Sequence, residues 1–117
     1  MKGKRGWGDK GEEYACQLLK KNGYKIIERN YRCKLGEIDI IALDNKTLVF
    51  VEVKTRWSRR FGLPAEAVTP RKLYKIKKVG EYYLLNHPDS SHKQRIDVVA
   101  IEVRSGTVTN AKIIKVN

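Results

Sequence analysis

Apolar and polar residues alternate in two neighbouring stretches, Gly36-Glu37-Ile38-Asp39-Ile40-Ile41 and Val49-Phe50-Val51-Glu52-Val53-Lys54. The period of two predicts a pair of β-strands spanning residues 37–55, with Asp44-Asn45-Lys46-Thr47 at the turn. A two-residue loop at Asn45-Lys46 sets Asp44 against Thr47, and counting back pairs Ile40 with Val51 and Asp39 with Glu52. A four-residue loop closed by Leu43 and Leu48 gives the same register. An odd loop would mix polar and apolar residues on one face, which the alternation resists. The hairpin is therefore expected to carry two acids side by side, with Lys54 one strand period beyond Glu52 on the same face. Like charges directly opposite are destabilising, and a divalent cation is the simplest source of relief.

The remaining periodicities fill out an αβββαββ order. Asp9 can cap a helix that runs to about Asn22, with Ala15, Leu18 and Leu19 as its buried stripe and Gly23 at its stop. Tyr24–Cys33 reads as a first strand. From Arg56 to Thr69 the pattern breaks into a loop punctuated by Gly62 and Pro64. Thr69-Pro70 then reads as cap and first position of a helix ending near Asn86, with Leu73, Ile76, Val79 and Tyr83 on its apolar side. Ile96–Val103 is apolar on both faces apart from Asp97 and Glu102, which places it centrally in a sheet. Ser105-Gly106 turns into a last strand, Thr107–Val116. Residues 1–8 are read as a flexible basic arm and residues 9–117 as a single α/β domain, a mixed sheet flanked by helices.

Charge adds a partner class. The chain has 25 Lys and Arg against 13 Asp and Glu, a net +12, and a pI near 9.9. That excess points to a polyanion, with nucleic acid the usual one. A ribosome-associated or membrane-surface protein would show the same number. Between Lys54 and Lys78, nine Lys and Arg are offset by Glu66 alone. Within that stretch Arg56, Arg59, Arg60, Arg71, Lys72, Lys75 and Lys78 are the expected phosphate contacts. Trp57 either stacks on a base or packs the loop. His87 and His92 have no partners at ligand spacing and receive no role. Cys16 and Cys33 lack any CxxC spacing and read as free thiols. No stretch approaches the roughly 20 apolar residues of a membrane helix, so a cytoplasmic protein is expected.

Phosphodiester hydrolysis assisted by Mg2+ or Mn2+ needs hard oxygen ligands, a positioned water and positive charge at the phosphate. Asp39, Glu52 and the Val53 carbonyl are the candidate ligands, and Lys54 is placed either to orient the water or to neutralise the transition state. Glu12 falls on the edge of the first helix's buried stripe, where a carboxylate is costly unless engaged, and reads as a direct or supporting group. Glu13 points to solvent. Glu37 is either a further ligand or the partner of a nearby arginine, the second being favoured. Asp97 is either a fifth acidic group at the site or, the favoured reading, the ion-pair partner of Arg95 or the end of a buried strand.

Asp39 followed by Glu52-Val53-Lys54, on a hairpin preceded by a glutamate-bearing helix, resembles the PD-(D/E)xK nuclease superfamily. Gly8-x-x-x-Glu12 ahead of these elements is similar to archaeal Holliday junction resolvases. A narrower set resembles the bacterial YraN family of endonuclease-like proteins. It comprises Gly11-Glu12-x-x-Ala15, Arg29-Asn30, Gly36 to Ala42, Phe50-Val51-Glu52-Val53-Lys54-x-Arg56, Lys72 and Arg95-x-Asp97. The superfamily's naming proline is absent, Ile38 standing before Asp39. The resemblance implies a restriction-endonuclease-like fold, nucleic-acid binding and metal-dependent cleavage of DNA, branched or structured DNA by the resolvase likeness. Two cuts need two sites, so the resolvase likeness also implies a homodimer. The alternative is a non-catalytic nucleic-acid-binding module on the same fold.

Overall fold

The computed structural model describes residues 2–57, 69–88 and 93–116. The element order is α1 (Lys2–Lys21), β1 (Lys25–Cys33), β2 (Gly36–Asp44), β3 (Thr47–Arg56), α2 (Pro70–Leu85), β4 (Lys93–Arg104) and β5 (Thr107–Lys115). The five strands form one sheet in the order β1-β2-β3-β4-β5. Only β3 and β4 run parallel, as the α2 crossover between them requires. This mixed α/β arrangement is compatible with the restriction-endonuclease-like αβββαββ order. β3 is the middle strand and β4 lies inside the sheet beside it, as its apolar faces indicated.

The helices cover opposite faces. Ala15, Cys16 and Leu19 of α1 pack with Ile40, Ala42, Val49, Val51, Val99 and Ile101. On the other face Ile76, Val79 and Tyr83 of α2 pack with Ile38, Ile41, Leu48 and Phe50. Two glycines allow the helices to sit close. A Cβ on Gly11 would lie 2.7 Å from Thr55 Oγ1, and one on Gly80 would lie 2.6 Å from the Phe50 ring. The first fixes the N-terminal half of α1 over the end of β3.

α1 begins at Lys2, so Asp9 lies inside the helix rather than capping it, and the backbone of residues 2–8 continues the helix instead of forming a separate arm. Its other end follows expectation. Gly23, at φ +87°, follows the last turn, and Tyr24 N–H and Gly23 N–H donate to the Leu19 and Lys20 carbonyls, each at 3.0 Å. α2 starts on the Thr69 cap, whose side chain accepts from the Lys72 N–H, and runs to Leu85 with Asn86 as C-cap. Most of the 56–69 loop, residues 58–68, lies outside the described residues, and with it Arg59 and Arg60; residues 89–92 do too. No helix among the described residues is long and apolar enough to cross a membrane.

The hairpin register is the expected one from Asp44↔Thr47 back to Ile40↔Val51, around a turn where Asn45 takes φ +57°. The expected next pair, Asp39 with Glu52, does not extend the ladder. Instead the Val53 N–H donates to Asp39 Oδ2 at 2.7 Å. β2 loses its alternation here, with Ile38 and Ile41 packed on the α2 side and Ile40 and Ala42 on the α1 side. In a regular strand residues 38 and 40 would share a face. On β1, Asn30 takes φ +54° between the Arg29↔Ile40 and Tyr31↔Ile38 pairs, opposite this irregularity.

Candidate functional site

Where β2 and β3 part, the Asp39 carboxylate fills the wedge and faces two cavities at once. One, of about 510 Å³, is lined by Arg32, Glu37, Glu52, Lys72 and Lys75 as well as Asp39. The other, of about 300 Å³, is lined by Gly8 and Glu12 of α1, by Asp39, and by Val53, Lys54 and Trp57. The glutamate-bearing helix, the hairpin acids, the lysine and the first turns of α2 thus meet at one end of the sheet.

Asp39 is the least comfortable group in this assembly. Burial pushes its carboxyl up to about 6 against the pull of the Val53 N–H, and the charges of Glu52, Glu12 and Glu37 raise it further. Among the described residues no ion pair reaches it. Burial also holds the Lys54 ammonium below the ordinary lysine range, helped by Lys72 and Arg56 and opposed by Glu52. A carboxylate reluctant to ionise beside a lysine reluctant to stay charged is a pairing found at catalytic centres and in buried structural networks alike.

The other expected residues fall into distinct positions. Glu52 lies 2.9 Å from Lys72 Nζ, so Lys72, expected as a phosphate contact, pairs with one of the site's acids. β3 stays regular from Glu52 to Lys54, and Lys54 lies against Lys72, the partner of Glu52, so the two share a face as expected, while Lys54 also lines the smaller cavity. Glu12 accepts from Arg29 at 3.1 Å and from the Asn30 side chain at 3.0 Å, which makes it a braced neighbour of Asp39. Glu13 sits outside, bonded to Gln17 and Arg29, which hold its carboxyl below the usual range. Glu37 pairs with Arg32 at 3.3 Å, the favoured of its two readings. Lys75 lines the larger cavity, whereas Arg71 is exposed outside both and Lys78 pairs with Glu81 and lies over the Tyr74 ring. Arg56 continues β3 from Lys54, its buried Nε without a hydrogen-bond partner among the described residues. His87 stacks on Tyr83 at the far end of α2, with centroids 3.9 Å apart. Among the described residues no three His, Cys, Asp or Glu side chains gather into a metal-holding group.

A second polar cluster lies towards the turn end of the hairpin. Asp97, fully buried, accepts from Arg95 Nε at 2.7 Å and from the Tyr24 hydroxyl at 2.6 Å, and Arg95 also donates to Asp44 at 2.8 Å. Asp97 therefore pairs with Arg95, as expected, away from Asp39. The parts played by Tyr24 and Asp44 were not read from the sequence, since no local spacing joins them. Arg29 and Asn30 received no site role there either, although a left-handed asparagine within a strand is where a side chain is re-aimed.

Residues 11–101 match the Uncharacterised protein family UPF0102. A UPF0102 protein of Caldicellulosiruptor saccharolyticus is 51% identical over 98 residues, covering 84% of this chain and 83% of its own. One from Moorella thermoacetica is 44% identical over 109 residues, covering 92% and 91%. One from Beutenbergia cavernae is 46% identical over 101 residues, covering 86% of each chain. The matched stretch includes Glu12, Asp39, Glu52, Lys54, Lys72 and Asp97, the residues on which the YraN-like resemblance rests. The chain belongs to the uncharacterised protein family UPF0102.

Proposed function

We propose that the protein is a divalent-metal-dependent endonuclease that hydrolyses phosphodiester bonds in DNA, with branched or structured DNA as the substrate class. The observation that carries this reading is Asp39: a carboxylate buried where two strands part, crowded by Glu52, Glu12 and Glu37, with its carboxyl lifted to about 6. Such a group gains most from a cation brought to it. The donor set fits Mg2+ or Mn2+. Mg2+ is commonly held by one or two carboxylates while keeping several waters, so Asp39, Glu52 and the Val53 carbonyl suffice without a third acidic side chain. When bound there, the cation supplies Lewis-acid stabilisation of phosphoryl oxygen and makes water a better nucleophile.

The chain's own residues divide the remaining work. Asp39 stays oriented by the Val53 N–H. Lys54, its ammonium held below the ordinary lysine range by burial, orients the attacking water or offsets charge growing on the phosphate. Arg29 and Asn30 hold Glu12 beside Asp39 and keep its field there. Lys72 and Lys75 face the larger cavity and, with Arg56, Arg71 and Lys78, offer charge to the DNA backbone. Arg59 and Arg60 extend that basic run in the sequence. Cutting both strands of a junction assigns the active form to a homodimer.

One observation favours a second reading, a nucleic-acid-binding module without catalysis: Glu52 already has a cationic partner in Lys72. Incubation with supercoiled, single-stranded and four-way-junction DNA in Mg2+ or Mn2+ separates the two. The nuclease reading expects cleavage that chelator stops and that Asp39→Ala and Lys54→Ala abolish. Cleavage without metal, cleavage that survives both substitutions, or binding with no cleavage on any substrate rejects it.

A further inference from the structure

Lys72 occupies a position unfavourable to a cation. It is the third residue of α2, in a first turn that contains Arg71 and no acidic residue. The unsatisfied N–H groups of a helix start carry partial positive charge, which repels an ammonium. Lys54 lies against it, and Lys75 follows one turn later in the same cavity. Its ion pair is with Glu52, at 2.9 Å, the carboxylate 13% exposed and the lysine 40%. The lysine stem is therefore half in solvent, while α2 is fastened to the sheet through Ile76, Val79, Gly80 and Tyr83. The ammonium can leave Glu52 without disturbing the core.

Building on the proposed cation site, we infer that Lys72 is an exchangeable counter-ion: it neutralises Glu52 in the free protein and moves to polynucleotide phosphate when a divalent cation is taken up. Glu52 cannot serve both positive groups at full strength, so Lys72 and the cation compete for it. Conversely, a phosphate that draws Lys72 away leaves Glu52 open to the cation. Polyanion and cation therefore favour each other's binding, and the coupling is reciprocal. The same exchange keeps the acid pair partly neutralised, and the protein stable, between substrates.

The test is calorimetric titration of Mn2+ into metal-free protein without nucleic acid, comparing wild type, Lys72→Met and Lys75→Met. Lys75 lines the same cavity and has no ion pair to Glu52 among the described residues, so its variant reports the general field alone. Lys72→Met is expected to bind Mn2+ on the order of tenfold tighter than wild type, towards the low end of measured couplings between sites. Lys75→Met is expected to stay within about twofold, since a more distant, solvent-screened charge has a weak effect. Equal gains in both variants, or no gain in Lys72→Met, overturn the counter-ion role and leave the cation site standing. Failure of wild type and both variants to bind Mn2+ overturns the site, and the inference with it.

Discussion

Replacing Asp39 with asparagine should stabilise the protein in chelator, and the gain should depend on pH. Asparagine retains an oxygen to accept from the Val53 N–H but carries no charge into the company of Glu52, Glu12 and Glu37. The carboxyl moves from its reference value of 3.8 to about 6 on folding. Each unit of such a shift corresponds to about 1.4 kcal/mol, so the ionised side chain costs roughly 2–3 kcal/mol at neutral pH once partial solvent screening is allowed for. The sign follows from proton binding. Between pH 3.8 and about 6 the folded protein holds this proton more tightly than the unfolded chain, so wild-type stability falls as pH rises through that window. The variant has no proton there to lose. Thermal melts in chelator should show the two proteins nearly equal at pH 4, with the variant ahead by about 10 °C at pH 8 for a domain of this size. A constant gap across that range, or a variant that melts lower at pH 8, would refute the reasoning and make Asp39 a structural partner.

Gly11→Ala forces a Cβ to within 2.7 Å of Thr55 Oγ1, so it should cost about 1–3 kcal/mol in denaturant melts and lower any cleavage by shifting Glu12. Arg95→Met strands the fully buried Asp97 without its charge partner and should cost about 3–5 kcal/mol, whereas Tyr24→Phe, which removes one hydrogen bond to the same carboxylate, should cost about 1–2. Equal losses from the two would show that Arg95 does not neutralise Asp97. DNA affinity measured by anisotropy should fall steeply as salt rises, and Lys75→Ala should reduce the slope of log affinity against log salt by about 1. An unchanged slope would remove Lys75 from the phosphate contacts.

The alternation around Asn45-Lys46 carries the hairpin's register, because a one-residue slip would move every core residue of β2 to the opposite face of the sheet. Capping chemistry at Thr69-Pro70 and Gly23 carries helix boundaries for a similarly local reason. What local pattern does not encode is where a regular ladder gives way. The parting of β2 and β3 at Asp39 depends on a side chain taking a backbone partner and on Asn30 adopting a left-handed conformation across β1. Counting residues in a strand assumes neither. The same stretch of β1 brings Arg29 and Asn30 onto Glu12, partners that no spacing in the sequence joins. The start of α1 is missed because glycines at residues 3, 6 and 8 argue against helix by propensity. The Tyr24–Asp97–Arg95–Asp44 cluster joins two strands and the residue before β1, distances in sequence over which no periodicity runs.

The claim beneath the functional account is that the Asp39 and Glu52 carboxylates share a divalent cation. Anomalous diffraction from crystals soaked in Mn2+ tests it most directly. The account predicts a manganese peak bonded to both carboxylates, and none at that position in Asp39→Asn. Crystals in which Glu52 stays paired with Lys72 and no manganese approaches Asp39 would contradict it.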